Sequence, residues 1–374
     1  MIYLDNAATS MPKPPEVYDA VQDAMLSCAS LGRSGHAAAR KAAETAFLCR
    51  QEAGDLFEAD PEHVAFTMNA THGLNLAIKT LVKPGDHVVV SGFEHNAVMR
   101  PLHHLGAQIE IAGSGLFDPD DTLAAFERAI TRDTKAVICT HVSNVFGYVL
   151  PVEQVATLCR QRGVPLIVDA AQSAGILPLS LKQLQAAFIA MPGHKGLYGP
   201  QGTGMLLCSQ TPDTLLEGGT GSLSASMEMP DYLPDRVEAG THNVPGIAGL
   251  LAGIRYLKRR GLTAVRQGEN ALLRMLHQEL GGLPIRQYYA GGILQTGVLS
   301  LTADGWDCEE LAARLSDVGI AVRAGLHCAP MAHKCAGTLE TGTIRISLSD
   351  FTTPQEIDCF AKILGGILGN GFFS

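Results

Sequence analysis

The sequence predicts an α/β protein with a large domain built on a mostly parallel sheet and a smaller α+β domain. Short, continuous apolar segments alternate with helical patterns between Val64 and Val168, as in parallel strands that helices cover on both faces. After Cys208 this alternation gives way to long polar stretches. We therefore expect a large domain over residues 15–255 and a small domain formed by residues 1–14 and 256–374.

The individual elements follow from local patterns along the chain. Pro14 and Pro15 favour the start of the first helix, because proline is tolerated in a first turn, and alanine enrichment predicts the second helix. Helices are expected at 15–29, 37–57, 71–81, 96–105, 122–130, 152–162, 245–260, 308–317 and 354–364. Strands are expected at 64–67, 86–91, 108–112, 136–140, 164–168, 186–191, 205–208, 297–301 and 343–349.

The composition is that of an ordinary globular enzyme. The 374 residues are 46% hydrophobic and 17% charged. A net charge of −9 without a basic stripe argues against nucleic-acid binding. No apolar stretch reaches the roughly 20 residues that a membrane helix needs. The first residues lack the basic-then-apolar pattern of a signal peptide, so we expect a cytoplasmic protein with nine reduced cysteines.

Lys195 lies in a glycine-rich loop between two predicted strands. Gly193, Gly196 and Gly199 allow the backbone there to approach a ligand closely. A partly desolvated lysine can lose its proton and attack a carbonyl carbon. An ordinary strand connection with a solvated lysine has the same local pattern, so this segment alone does not decide between the two interpretations.

Other strand ends carry polar residues toward the same predicted crevice, because ligands bind beyond the carboxyl ends of parallel strands. Thr71 follows one strand at the start of a helix, where amides can hold a phosphate, although this segment alone favours an ordinary helix cap. His95 can stack on a flat ligand or move a proton, or be a surface histidine. Asn144 can donate to a ligand oxygen or form a turn. Asp169 ends a buried strand, where a carboxylate needs a partner such as a protonated pyridine nitrogen.

The C-terminal part adds a cysteine and two arginines. Cys328 lies in a loop that contains glycine and proline, where it can act as a nucleophile or be a buried inert thiol. A zinc site at this cysteine and the nearby histidines is not favoured, because the spacing fits no common ligand template. Arg323 and Arg345 are candidates for holding a carboxylate. Arg345 lies within a strand pattern, where an inward-facing arginine needs an anionic partner.

These segments together resemble one family over nearly the whole chain. The chain is similar to the cysteine desulfurases, in the aminotransferase class V group of fold-type I pyridoxal phosphate enzymes. The matching segments are 3–9, 69–73, 94–95, 141–144, 168–172, 193–195, 238–243 and 323–328. The resemblance implies pyridoxal 5′-phosphate as cofactor and L-cysteine as substrate, with selenocysteine lyase activity or another class V reaction as alternatives.

The resemblance also implies roles for residues around the cofactor ring. Lys195 forms the covalent Schiff base and later removes the substrate α-proton. Asp169 pairs with the pyridine nitrogen, and His95 stacks on the ring. Gln172 and Asn144 contact the ring hydroxyl oxygen or the substrate.

The phosphate end of the cofactor has its own set of expected contacts. The backbone at Ala70, the Thr71 hydroxyl and His194 bind the phosphate within the subunit. Thr241 reaches the phosphate of the neighbouring subunit, which implies a homodimer. Pro192 departs from the family pattern, where serine or threonine is frequent, and this removes one expected phosphate contact.

The remaining implied roles concern the substrate and the sulfur. Arg345 holds the substrate carboxylate together with Asn144, and Arg323 is a second candidate for this contact. Cys328 attacks the substrate sulfur and leaves alanine and a persulfide. The short interval between the two arginines resembles the branch with a less mobile catalytic loop, which depends on a sulfur-acceptor protein.

Overall fold

A computed structural model describes residues 1–32 and 34–370 of the chain. The strands are β1 Ile2–Tyr3, β2 Val64–Thr67, β3 His87–Ser91, β4 Gln108–Ala112, β5 Thr134–Thr140, β6 Leu166–Asp169, β7 Phe188–Pro192, β8 Gly204–Cys208, β9 Ile285–Tyr288, β10 Val298–Ala303, β11 Ile320–Ala321, β12 Arg323–Gly325 and β13 Thr343–Ser347. The helices are α1 Pro15–Ser27, α2 Ala37–Phe57, α3 Ala70–Leu81, α4 Asn96–Leu105, α5 Pro119–Ala129, α6 Val152–Arg162, α7 Leu181–Leu184, α8 Val244–Arg260, α9 Leu262–Glu279, α10 Cys308–Asp317, α11 Pro330–Ala336 and α12 Pro354–Asn370. Two 3₁₀ helices lie at Pro61–His63 and Gly292–Leu294.

The large sheet has the strand order β2-β8-β7-β6-β5-β3-β4 within the described residues. Neighbouring strands from β4 to β7 are parallel, and β8 is antiparallel to both β7 and β2. Most of its central strands are buried along their whole length, as expected for a sheet with helices on both faces. The chain places β4 on one side of β3 and β5 on the other, which opens a crevice at their carboxyl ends. This confirms the predicted α/β class and mostly parallel sheet.

The second sheet is antiparallel, with the order β12-β13-β10-β9. A separate core packs on it from α9, α10 and α12, with Leu273, Leu311 and Phe360 fully or almost fully buried. The N-terminal segment joins this part of the molecule, because β1 pairs with β11 and Asp5 bridges to Ser347. The predicted domain limits stay a prediction, and residues 371–374 of the expected small domain lie outside the described residues.

Several elements differ from the sequence prediction. Helix α5 begins at Pro119, three residues earlier than expected, because the Asp118 side chain accepts a hydrogen bond from the Asp121 amide and caps it. The last helix continues to Asn370 beyond the predicted end at 364. Helices α7, α9 and α11 and strands β1, β9, β11 and β12 were not predicted.

Within residues 1–32 and 34–370, no helix combines the length and the apolar character that crossing a membrane requires.

Candidate active site

A cavity with an empty volume of about 510 Å³ lies at the carboxyl ends of the central strands. Its wall comes from the start of α3, the start of α4 and the segments that follow β5, β6 and β7. Most of the predicted site residues line it, namely Ala70, Thr71, His95, Asn144, Asp169, Gln172, His194 and Lys195. The parallel sheet therefore brings together polar side chains that are up to 124 positions apart in the sequence.

Lys195 belongs to the lysine loop, which we define as residues 193–203 between β7 and β8. The loop is closed by hydrogen bonds from the Gly193 amide to the Thr203 carbonyl (2.8 Å) and from the Gly199 amide to the Gly193 carbonyl (2.7 Å). A side chain at Gly196 would place its Cβ 2.5 Å from a backbone oxygen, so the close approach requires glycine. Burial, followed by the charge of Arg345, lowers the pKa of Lys195 to about 8.

Asp169 is the buried acid at the end of β6, with 3% of its surface exposed. Its Oδ1 accepts a hydrogen bond from the Ala171 amide at 2.8 Å. Burial raises the pKa of Asp169, and within the described residues it has no ion-pair partner at 4 Å or less. A buried carboxylate in this state fits a cationic ligand group such as a protonated pyridine nitrogen.

Two histidines in the cavity wall are neutral at physiological pH. Burial, with a contribution from the charge of Lys195, lowers the pKa of both His95 and His194 to about 4. The Nδ1 of His95 accepts a hydrogen bond from the Ala97 amide at 3.0 Å and caps α4, which fixes its ring beside the cavity. The Nδ1 of His194 is buried and has no hydrogen-bond partner within residues 1–32 and 34–370, which leaves it available to a ligand.

The start of α3, where the sequence predicts an anion site, lies in the cavity wall. The side chain of Asn69, which precedes α3, accepts a hydrogen bond from the His72 amide (2.9 Å). The other amides of the first turn have no partner in the helix itself, because no helical turn precedes them. Ala70 and Thr71 line the cavity at this point. Pro192 lines it too but offers neither a hydroxyl nor an amide hydrogen. An acid, an amine with a lowered pKa and a helix N-terminus in one cavity fit pyridoxal 5′-phosphate.

Arg345 is 1% exposed, and the chain itself supplies an anionic partner. Its Nη2 donates to Asp5 Oδ1 at 2.7 Å, and its Nη1 donates to the Asn144 carbonyl at 3.0 Å. The Nε is buried without a partner. Arg323 lies directly opposite on β12, paired in register with Arg345. Part of the hydrogen-bonding capacity of the guanidinium is thus already used by the N-terminal segment and by Asn144.

The two predicted amide side chains also have contacts within the chain. Asn144 Nδ2 donates to the His327 carbonyl at 2.8 Å, and Gln172 Nε2 donates to the Ala7 carbonyl at 3.0 Å. Each amide nitrogen carries a second hydrogen, so both can still contact a ligand. These bonds attach the cavity wall to the N-terminal segment and to the cysteine turn, which we define as residues 326–329.

Cys328 is exposed on the cysteine turn between β12 and α11. Its carbonyl accepts a hydrogen bond from the Asn96 amide at 2.7 Å, directly after His95. Together with the Asn144 contact to the preceding residue, this places Cys328 beside two residues of the cavity wall. Both His327 and Cys328 have left-handed backbone angles (φ 51° and 56°), which are unfavourable for residues other than glycine.

Thr241 is the one predicted site residue that lies elsewhere in the described chain. It is exposed and lines a different cavity, together with Arg50, Glu238 and His242. The structure of one subunit therefore does not bring Thr241 to the Lys195 cavity.

Sequence reasoning missed two residues of this region. The sequence assigns no role to Asp5, which lies in the matching segment 3–9, because no local signal connects it to Arg345. Glu94 is fully buried, accepts hydrogen bonds from the Ser91 hydroxyl (2.5 Å) and the Thr140 amide (2.7 Å), and has a pKa raised by burial to about 8. Among the described residues no group of three or more His, Cys, Asp or Glu is placed to hold a metal ion.

Comparison with known proteins identifies the family of the chain. The family model described as aminotransferase class-V matches residues 2–360. The chain is therefore a member of the aminotransferase class-V family and of its cysteine desulfurase group, as the sequence resemblance predicted.

Individual relatives match over their full length. A probable cysteine desulfurase of Methanothermobacter thermautotrophicus is 31% identical over 99% of this chain and 95% of its own. A probable cysteine desulfurase of Pyrococcus abyssi is 32% identical over 97% of this chain and 93% of its own. The solved structure of the cysteine desulfurase from Thermococcus onnurineus has a TM-score of 0.88 at 32% identity, covering 99% of this chain and 95% of that chain.

Proposed function

We propose that the protein is a pyridoxal phosphate-dependent cysteine desulfurase that converts L-cysteine to L-alanine and keeps the sulfur as a persulfide on Cys328. One observation carries the proposal. Cys328 lies next to the wall of the cavity that contains Lys195 and Asp169: its carbonyl accepts a hydrogen bond from the Asn96 amide, directly after His95 of the wall, and the carbonyl of the preceding His327 accepts one from Asn144. Class V reactions that only move an amino group need no thiol at this position.

Different residues of the cavity would bind different parts of the cofactor. Asp169 would hold the ring nitrogen, His95 the ring face and Lys195 the aldehyde carbon. The first turn of α3, with Thr71, and the unpartnered Nδ1 of His194 would hold the phosphate. When bound, pyridoxal 5′-phosphate supplies an electron sink that stabilises negative charge on the substrate.

The protein residues then supply the proton and sulfur steps. The amine of Lys195, with its pKa lowered to about 8, can accept the proton from the substrate α-carbon near neutral pH. The Cys328 thiolate attacks the γ-sulfur and forms a new S–S bond, while the substrate C–S bond breaks and its electron pair stays on carbon. Protonation of that carbon gives alanine, so cysteine and a thiol become alanine and a persulfide. Arg345 and Arg323 would orient the substrate carboxylate.

The partners of this enzyme follow from the same arrangement. Cys328 is exposed, which supports direct transfer of its sulfur to an acceptor protein. Thr241 lies on an exposed loop away from its own Lys195 cavity, which supports a homodimer in which it reaches the second site. All nine cysteines have free thiols, which supports a cytoplasmic location. The domain limits at residues 15 and 255 remain part of this proposal.

The deciding experiment measures alanine after incubation of the purified holoenzyme with L-cysteine and, separately, with L-selenocysteine. We expect alanine from cysteine in the wild-type protein and loss of this product in Cys328→Ala. Cys359→Ala is the matched control, because Cys359 is also exposed but lies on α12. Alanine from selenocysteine alone would identify a selenocysteine lyase, and no alanine from either substrate would contradict the proposal.

A second measurement tests the cofactor. The purified protein should be yellow, with the absorption band of a lysine-bound pyridoxal phosphate, and Lys195→Ala should lose that band. A colourless wild-type protein that does not take up added cofactor would remove the basis of the assignment.

A further inference from the structure

Next to the cysteine turn lies a line of three buried polar side chains that the reaction above does not use. His327, His333 and Thr338 are 3%, 0% and 3% exposed. The distances are 3.4 Å between His327 Nδ1 and His333 Nε2, and 2.8 Å between His333 Nδ1 and Thr338 Oγ1. At the other end, His327 Nε2 is 3.2 Å from the Arg323 carbonyl oxygen. The line thus runs from the end of α11 to strand β12.

The two imidazole rings meet end to end. Their planes differ by 9° and their centroids are 5.6 Å apart. The facing nitrogens of His327 and His333 are 3.4 Å apart, so the rest of the centroid separation is the distance from each nitrogen to the centre of its own ring. Both nitrogens therefore lie close to the line that joins the two centroids. The rings are therefore nearly coplanar, which is the geometry of an in-plane N–H to N hydrogen bond.

Only one arrangement of protons satisfies the whole line when both rings are neutral. The Arg323 carbonyl only accepts, so His327 carries its proton on Nε2 and donates there, which leaves Nδ1 as an acceptor. His333 must then donate from Nε2, and its Nδ1 accepts the hydroxyl hydrogen of Thr338. Burial keeps both rings neutral, because it lowers the pKa of His327 to about 2 and of His333 to about 4.

The line is attached to the backbone that carries the reactive thiol. His327 precedes Cys328, and both residues have the left-handed backbone angles that persist only where surrounding contacts impose them. The Asn144 side chain and the Asn96 amide bind the two carbonyls of this pair from the large-sheet side. On the side of α11, the imidazole of His327 contacts His333 and so fixes the same pair of residues.

We propose that His333 and Thr338 are positioning residues for sulfur transfer: by fixing the tautomer and orientation of His327, they hold the cysteine turn where Cys328 can reach the substrate sulfur. This inference rests on the proposed desulfurase function. It concerns only the thiol step, since neither residue lines the cavity that contains Lys195.

Thr338→Val tests the line with little change of volume. Removing the hydroxyl frees His333 to carry its proton on Nδ1, which breaks its hydrogen bond to His327. We expect kcat for alanine formation to fall about tenfold, because small displacements of a reacting group are costly, while KM stays within about twofold. The cofactor absorption band should not change. Thr338→Ser keeps the hydroxyl and should restore most of the activity.

The ring protons can be observed directly in the unmodified holoenzyme by long-range ¹H–¹⁵N correlation with ¹⁵N-labelled histidine. We expect His327 and His333 both neutral and both protonated on Nε2. A proton on Nδ1 of His333, or a Thr338→Val enzyme with wild-type kcat, would overturn the proposal. Equal impairment of the Val and Ser variants would overturn it as well. If the wild-type enzyme forms no alanine, the desulfurase function fails, while the spectrum still decides whether the line exists.

Discussion

The state of the Lys195 amine at neutral pH gives the most direct quantitative test of the site. Only the unprotonated amine attacks an aldehyde. Burial, then the positive charge of Arg345, disfavours the charged form and lowers the pKa of Lys195 to about 8. At pH 7 about one amine in ten is then neutral, against about one in three thousand for an ordinary lysine, which predicts a roughly 300-fold advantage in reactive amine.

The assay is the rate at which cofactor-free protein captures added pyridoxal 5′-phosphate, followed by absorbance from about pH 6 to about pH 10. We expect the rate to rise about tenfold per unit below pH 8 and to level off above it. The same reaction with Nα-acetyl-lysine corrects for the ionisation of the cofactor itself. In Arg345→Gln, which removes the second largest cause of the shift, the levelling should move to higher pH.

The outcome that would refute the reasoning is a rate that climbs steadily through pH 10 after this correction. Such a profile would mean that the Lys195 amine has the pKa of a solvated lysine. The closed lysine loop would then not desolvate it, and the site would lack its main source of a neutral amine.

The remaining predictions concern contacts around this site. Asp5→Asn should lower the free energy of unfolding by about 3 kcal/mol, measured by urea denaturation, because it leaves the buried Arg345 guanidinium without its anionic partner; an unchanged midpoint would contradict this. Asp169→Asn should weaken cofactor retention by about 10- to 100-fold in equilibrium dialysis, since a neutral amide loses the charge-assisted hydrogen bond, and undiminished retention would argue against the ring-nitrogen contact. Gly253→Ala should destabilise the protein by about 1–3 kcal/mol, because its Cβ would lie 2.2 Å from a carbonyl oxygen of the lysine loop. Gly366→Ala on α12, with open space around it, is the control that should show no loss in thermal melting.

Local sequence patterns were sufficient to predict most of the large sheet and the residues at the carboxyl ends of its strands. Its central strands are buried on both faces and form continuous apolar segments, so their ends are visible where polar residues such as Asp169 begin. Because parallel strands end on one side of a sheet, locating Asp169 and Lys195 at strand ends already implied that they meet. The observed ends of the elements differ by a few residues from the predicted ends where side-chain caps determine them.

The elements that were missed lack that kind of signal. Helix α9 follows α8 after a single residue, Gly261, with φ 80°, and its buried positions include the carboxylate of Glu269. A charged residue on the buried face weakens the apolar periodicity that identifies a helix. Helix α11 has seven residues and begins with Pro330, so its sequence is equally that of a turn. Strand β12 has three residues and depends on pairing with β13 rather than on its own pattern.

Arg345 marks the limit of what the sequence can say about the site. Its place in a strand pattern correctly required an anion, and the family resemblance assigned that anion to the substrate. The structure pairs the guanidinium with Asp5, which is 340 positions away, a contact that no local pattern contains. Under the proposed function, the substrate carboxylate would have to reach the guanidinium beside this pair, near the buried Nε, which has no hydrogen-bond partner among the described residues. Since Arg323 lies directly across on β12, we expect it to complete that contact, and its loss should raise KM for cysteine more than it lowers kcat.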